Sequence, residues 1–312
     1  MSIAYYDRQN ILENVDIFKL AKDMEQSFRL FKEDRIQIPE KGLLFKENPN
    51  SVFISMQALS ERNNLYIHKS ATFFARGSED NLPSTHAVVS AFCNRTGQLL
   101  AILNGEAVTM VKCAAISALI TAYCAAKNAS VAAIIGSGTQ AKQQFIAITL
   151  VRDIKKVKIY SRNSARLGSF IKELECMGKT KMIIEASNSV ADCIESADII
   201  ATTTSSAVPL HDFDNLKENV HINCVGAHTR ESREISHSVL QKCVLIVEDK
   251  NTAIREAGQV HSNALALPEF ILADKQLLRK QQTIFSSTGY AYLDLITIAY
   301  ILRNTLNSCK LK

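Results

Sequence analysis

The pattern of apolar and polar positions divides the chain into two regimes. Between residues 14 and 32, Val15, Ile17, Phe18, Leu20, Ala21, Met24, Phe28 and Phe31 recur at helical spacing with charges opposite them, which predicts an amphipathic helix. After Pro39 the period shortens. Apolar-rich runs at 43–45, 52–59, 65–74, 86–93 and 99–103 are separated by turn signals such as Asn63-Asn64 and Thr96-Gly97, the pattern of an antiparallel meander. Residues 106–127 return to helical spacing and are rich in Ala. From there to about residue 260, strand patterns at 131–135, 157–160, 182–185, 199–202, 221–225 and 244–247 alternate with helical ones at 140–151, 165–177, 190–194 and 236–241. Such alternation implies parallel strands joined by right-handed crossovers. A last helical stretch, 290–306, is expected to pack back on the first domain. The expected fold class is therefore α/β: a Rossmann-type doubly wound parallel sheet over 116–282, and a smaller α+β domain over 1–115 completed by 283–312.

Composition removes several alternatives. A chain of 312 residues is long enough for two domains, and 47% apolar with 21% charged residues excludes a disordered chain or a disulfide-stapled miniprotein. The longest apolar stretch, 113–126, is interrupted by Ser117 and Thr121 and is shorter than the roughly 20 residues a bilayer requires. It reads as a buried helix, and no membrane partner is expected. Lys and Arg exceed Asp and Glu by 36 to 31, a net +5 without a basic run, so no nucleic-acid partner is expected and a small anionic ligand fits better. Residues 1–10 carry Asp7 and Arg8 and no apolar segment of a secretory signal, which makes the cytoplasm the expected location. The eight cysteines show no zinc-hook spacing, so they read as reduced thiols, with no metal site.

Candidate chemistry begins at Gly136-Ser137-Gly138-Thr139-Gln140-Ala141, which follows an apolar strand and opens a helix. This is G-x-G-x-x-A in the context where it binds a dinucleotide. The first Gly permits the turn, the second lets the backbone approach a pyrophosphate, and the helix N-terminus faces the phosphates. The second strand runs into Ser161-Arg162-Asn163-Ser164, with no carboxylate for a ribose 2′-hydroxyl and one guanidinium suited to a 2′-phosphate. NADPH is the expected coenzyme, with NADH as the alternative; the plain reading of Arg162 is a solvated loop charge. Thr202, Thr203 and Thr204, in a hydroxyl-rich tract at a strand's carboxyl end, fit two roles equally: lining the nicotinamide ribose or capping a loop. The fifth strand leads to His228, which suits proton transfer or an ordinary surface position. Lys69 stands mid-strand among apolar neighbours, facing either solvent or, paired with an anion, the core. Lys112 lies on the Ala-rich helix where few other charges occur, and two converging ammonium groups would suit a substrate carboxylate.

Taken in order, Lys69, Asn81-Leu82-Pro83, Thr96-Gly97, residues 105–109 leading into 112–118, the Gly136 turn, residues 197–200, residues 222–228, and Ser287-Thr288-Gly289 with Asp294 resemble the ornithine cyclodeaminase/mu-crystallin family over nearly the whole chain. The resemblance implies a two-domain homodimer whose first domain supplies substrate site and dimer contacts. It also extends the coenzyme surface to Thr109, Val225, Gly226, Ala227, Ser287 and Gly289. Cyclodeaminases of the family carry an Asp where His228 stands and a Glu near Ile54, and both carboxylates are missing here. Lys112 and Lys41 stand where the family commonly has Arg, so three lysines would share the carboxylate anchor. The expected activity is NADPH-dependent reduction of the C=N bond of an α-imino acid, with a cyclic ketimine carboxylate such as Δ1-pyrroline-2-carboxylate as substrate and Lys69 and His228 as catalytic residues. An open-chain alanine or opine-type dehydrogenase and a mu-crystallin-like NADPH-binding protein are the alternatives.

Overall fold

A computed structural model describes residues 3–47, 51–74, 83–177, 182–211, 213, 216–227, 229–230 and 232–305. In chain order the elements are β1 (Ala4–Tyr6), α1 (Arg8–Asn14), α2 (Ile17–Arg29), β2 (Ile36–Gln37), β3 (Gly42–Lys46), β4 (Ser51–Ser60), β5 (Leu65–Phe74), β6 (Thr85–Cys93), β7 (Leu99–Asn104) and α3 (Gly105–Cys124). They continue with β8 (Val131–Ile135), α4 (Thr139–Val151), β9 (Lys156–Tyr160), α5 (Ser164–Met177), β10 (Ile183–Ala186), α6 (Val190–Ile194), β11 (Ile199–Thr202), β12 (His221–Cys224), α7 (His237–Lys242), β13 (Val244–Val247) and α8 (Lys250–Ala257). Last come β14 (Leu265–Ala266), α9 (Leu267–Phe270), α10 (Lys275–Leu278), β15 (Thr283–Ser286) and α11 (Ala291–Thr305).

These elements form two compact units, Met1–Lys112 with Tyr290–Lys312, and Cys113–Gly289. The first boundary falls inside α3, near the expected 115/116. The second differs from the expected 282/283: β15 pairs in parallel with both β12 and β13, so residues 283–289 belong to the second unit. Thr283–Ser286 holds only two apolar residues between polar neighbours, too short a run to announce a strand.

In the first unit the sheet order is β1-β7-β6-β5-β4-β2, with β3 also on β4. Strands β4 to β7 form the antiparallel meander, and β1 joins β7 in parallel. Helix α11 packs on β4 and β5 of this sheet, and α2 packs against α11. Asp16 caps α2 by accepting from the Lys19 amide, and Leu20, Met24 and Phe28, spaced by four, are its buried face. Phe28 and Phe31 meet Tyr292 of α11 edge-on, with ring centroids 5.6 and 5.4 Å apart, a favoured geometry for the ring quadrupoles.

The second unit is a parallel sheet in the order β10-β9-β8-β11-β12-β15-β13-β14. Adjacent residues serve opposite faces: Ile134 and Ile199 pack with Phe145 and Leu174, whereas Ile135 and Ile200 pack with Ile222 and Val247. Two covered faces explain why these strands are unbroken apolar runs. The order reverses between β8 and β11, the switch point at which ligands bind in such sheets. Helix α3 is long and apolar enough to cross a membrane by length and composition, contrary to the short span expected from 113–126, yet 83% of its most apolar window is buried within the protein. It is a core helix.

Candidate active site

The glycine turn lies at the switch point. Gly136 has φ +124°, and a Cβ there would stand 2.2 Å from Thr203 Oγ1, so both its backbone conformation and its contact with β11's end require glycine. Its amide donates to the Tyr160 carbonyl at 2.8 Å, tying the turn to the end of β9. Gly138 is the N-cap of α4 without a side-chain cap, and a Cβ there would meet nothing within 4 Å. Open space over uncapped helix amides fits a pyrophosphate. A cavity of about 510 Å³ extends from this turn along the ends of β9 and β11.

Among the positions expected to bind coenzyme, Gly136, Ser137, Gly138, Ser161, Arg162, Asn163, Thr203 and Thr204 line this cavity. Ser137 and Ser161 share a hydrogen bond of 2.9 Å between their hydroxyls. Asn163 Oδ1 accepts from the Arg166 amide at 3.0 Å, so that oxygen caps α5. Thr139 and Gln140 form the first turn of α4. Thr202 differs from expectation: it is fully buried as the last residue of β11, and the next two threonines reach the cavity instead. Arg166 also lines it, although the sequence reading stopped at residue 163.

Two buried carboxylates that sequence reasoning missed brace the neighbouring loops. Glu234 accepts from the Thr204 amide at 2.5 Å and the Gly226 amide at 3.0 Å. A Cβ on Gly226 would lie 2.4 Å from Glu234 Oε2 and from the Thr204 carbonyl. Burial pushes the Glu234 carboxyl up against the pull of these hydrogen bonds. Val225 and Ala227 donate backbone bonds to the Thr202 and Thr204 carbonyls, so this rim is held by main chain. Glu248 accepts from Ser287 Oγ at 2.5 Å, Thr288 N at 3.1 Å and Gly289 N at 3.2 Å. The only sequence signal for Glu248 is its place directly after the apolar run of β13; Glu234 has none.

The first unit holds the lysine cluster. On β5, Leu65, Ile67 and Lys69 are buried at alternate positions, so Lys69 takes a core-facing register. Its Nζ lies 2.8 Å from Asp294 Oδ1 and donates to Thr109 Oγ1 at 2.5 Å. The Thr109 hydroxyl gives its own proton to the Gly105 carbonyl, which leaves a lone pair for the lysine; Thr109, expected on the coenzyme surface, thus stands in the lysine cluster. Lys112 Nζ reaches Asp294 Oδ2 at 3.0 Å. Lys69 and Lys112 are 5% exposed and Asp294 is wholly buried. Burial acts to raise the Asp294 pKa, but Lys112 and Lys69 outweigh it and hold the carboxyl below its usual value. Lys41 sits half-buried on the loop entering β3. His228 lies outside the described residues. Among the described residues no group of three His, Cys, Asp or Glu side chains could hold a metal.

A parallel sheet with a glycine turn at its switch point, and a cavity reaching from that turn to a strand end free of carboxylates, defines a dinucleotide-binding α/β protein. The chain belongs to the ornithine cyclodeaminase/mu-crystallin family, whose model matches residues 4–308. It is 28% identical to a Δ1-pyrroline-2-carboxylate reductase of Bacillus cereus over 97% of this chain and 96% of that protein. Among solved structures it resembles the Δ1-pyrroline-2-carboxylate reductase of Thermococcus litoralis in complex with NADH and L-proline, with TM-score 0.89, 24% identity, and 97% and 98% of the two chains covered. An archaeal alanine dehydrogenase dimer with bound NAD is similar at TM-score 0.86 and 25% identity, covering 98% and 97%.

Proposed function

We propose that this protein is an NADPH-dependent reductase of the C=N bond of an α-imino acid, and that its substrate is a cyclic ketimine carboxylate such as Δ1-pyrroline-2-carboxylate. The observation that carries this reading is the convergence of two buried ammonium groups on Asp294. Asp294 holds both ammonium groups at fixed positions in a buried site, and two ammonium groups so placed suit an anionic guest. The substrate carboxylate is that guest. The reaction named for the Bacillus relative supports the same substrate class.

Lys112 and Lys69 hold the carboxylate and thereby fix the adjacent imine carbon, an orientation effect worth several kcal/mol in well-placed reactions. Lys69 Nζ holds a proton for the imine nitrogen, because an iminium accepts a hydride far more readily than a neutral imine. His228 and water are further proton sources. The nicotinamide coenzyme, held by residues 136–138, Ser161 and Arg162, supplies the hydride when bound. Arg162 and the lack of a carboxylate in the cavity favour NADPH over NADH. The test is oxidation of NADPH and of NADH at 340 nm with pyrroline-2-carboxylate, piperideine-2-carboxylate, and pyruvate plus ammonia or amines. Consumption only with the cyclic imines supports the reading. Consumption only with pyruvate and an amine source makes the protein an open-chain dehydrogenase, a second reading favoured by its likeness to the alanine dehydrogenase. Tight NADPH binding with no consumption makes it a binding protein.

We further propose a cytoplasmic homodimer. The outward face of the first unit's sheet, opposite to that of Ile67 and Lys69, carries Tyr5, Leu44, Phe53 and Val88, which are 67, 72, 39 and 46% exposed, a surface suited to association. The described cysteines are all free thiols, in keeping with a reducing compartment. Light scattering should give a mass near twice 34.5 kDa.

A further inference from the structure

We infer that Arg166 is a second determinant of coenzyme choice, clamping the 2′-phosphate of NADPH together with Arg162; this rests on the coenzyme reading above. Both residues line the cavity and both are exposed. Among the described residues neither guanidinium pairs with a carboxylate, in contrast to the neighbouring cations Lys142 and Lys156, which pair with Glu173 and Glu185. Two hydrated cations facing one cavity, with no carboxylate among the described lining residues competing for them, are both available to an anionic ligand there. Their placement follows from the cap of α5. Asn163 binds the Arg166 amide through Oδ1 and accepts from Leu167 N through its carbonyl. The cap thereby fixes where the chain leaves β9, with Arg162 just before it, and where the first turn of α5 carries Arg166.

The chemistry selects a phosphate monoester at this point. A planar guanidinium offers paired N–H donors that match phosphate oxygens, and two of them around one dianion discriminate far more strongly than one. The N-terminal end of α5 adds its partial positive charge in the same direction. A ribose hydroxyl wants the opposite, an acceptor, and among the described lining residues there is no Asp or Glu to provide one. Arg162 is reached from the loop and Arg166 from the helix, so losing either leaves half of the clamp.

The test is calorimetric binding of 2′,5′-ADP and 5′-AMP to the full chain, which reads the phosphate subsite without turnover. The wild type should bind 2′,5′-ADP at least about tenfold more tightly than 5′-AMP, as one charge-assisted contact or more would give. Arg166→Ala should lower that ratio about five- to tenfold and leave 5′-AMP affinity unchanged, with Arg166→Lys recovering part of the loss. If the wild type shows the preference and Arg166→Ala keeps it, the role of Arg166 is overturned while NADPH specificity stands. If the wild type shows no preference, the assignment of NADPH falls and this inference falls with it. A loss of both affinities alike would overturn the clamp by showing that Arg166 supports the cavity as a whole.

Discussion

The molecule keeps two pairs of cations under opposite conditions. Lys69 and Lys112 are buried against Asp294, whereas Arg162 and Arg166 stand exposed at a cavity wall. A buried ammonium without a counter-ion is too unstable to persist, so the first pair comes with its own carboxylate and a fixed geometry. An exposed guanidinium is solvated by water and needs no partner until a ligand displaces that water. The same charge is thus structural in one place and available in the other. The proposed roles follow this division, with reaction geometry assigned to the rigid pair and coenzyme selection to the hydrated one.

The largest test of this contrast is Asp294→Ala. Leaving two ammonium groups buried without their carboxylate should destabilise the protein by about 3–5 kcal/mol, measured by urea unfolding, and should end imine reduction. A loss below about 1 kcal/mol would break the claim that the cluster is held together by charge. Asp294→Asn, of nearly the same shape, separates the charge from the packing. Next is Lys69→Ala, which should abolish reduction of cyclic imines while NADPH affinity, followed by fluorescence titration, stays within about twofold. An unchanged rate would remove Lys69 from the chemistry.

A third test sharpens the buried side. His221 is bonded to Thr283 Oγ1 at 2.9 Å and Asn223 Oδ1 at 3.1 Å. Burial first, with a smaller repulsion from Arg152, pushes its pKa down to about 3 from 6.5. A folded-state value below the unfolded one means that stability is full above pH 6.5 and falls as the pH drops toward 3, because the unfolded chain takes up the proton first. The expected slope is about 1.4 kcal/mol per pH unit in that window, and His221→Gln should flatten it. Asp294 behaves with the same sign at lower pH: its contribution is present above the usual carboxylate value of 3.8 and is lost as the pH falls through its depressed one. The smallest effect belongs to the exposed pair. Arg162→Asp should shift preference from NADPH toward NADH by about tenfold, and wild-type NADPH affinity should weaken with added salt while the Asp294 cluster is little affected.

How much of this was legible in the sequence depended on how local the signal was. Strands β8, β11 and β13 showed as unbroken apolar runs because both their faces are covered, and the glycine turn showed because its geometry admits few residues. Strand β15 was missed since its four residues take their strand conformation from β12 and β13, not from their own pattern. Helix α8, Lys250–Ala257, carries three charged residues of eight and gave no apolar stripe. Lys69 was identified, but its direction was left open by strand alternation. The deciding partner lies 225 positions away, and no window of sequence contains both. Asp294 stood in the family pattern without a role, and Glu234 and Glu248 act through backbone amides of distant loops. Arg166 was readable in principle, one helical turn beyond Arg162 at the capped start of α5.

The position of Asp294 also bears on how the protein comes into being. Helix α11 leaves the ribosome after every other described element, so Lys69 and Lys112 are translated long before the carboxylate they share. Until then Lys69 on β5 and Lys112 on α3 lack their shared carboxylate, and contacts so distant along the chain close slowly. The first unit therefore reaches its native interior only once α11 has been made, and a nascent chain stalled before residue 294 should remain open to protease at its lysines.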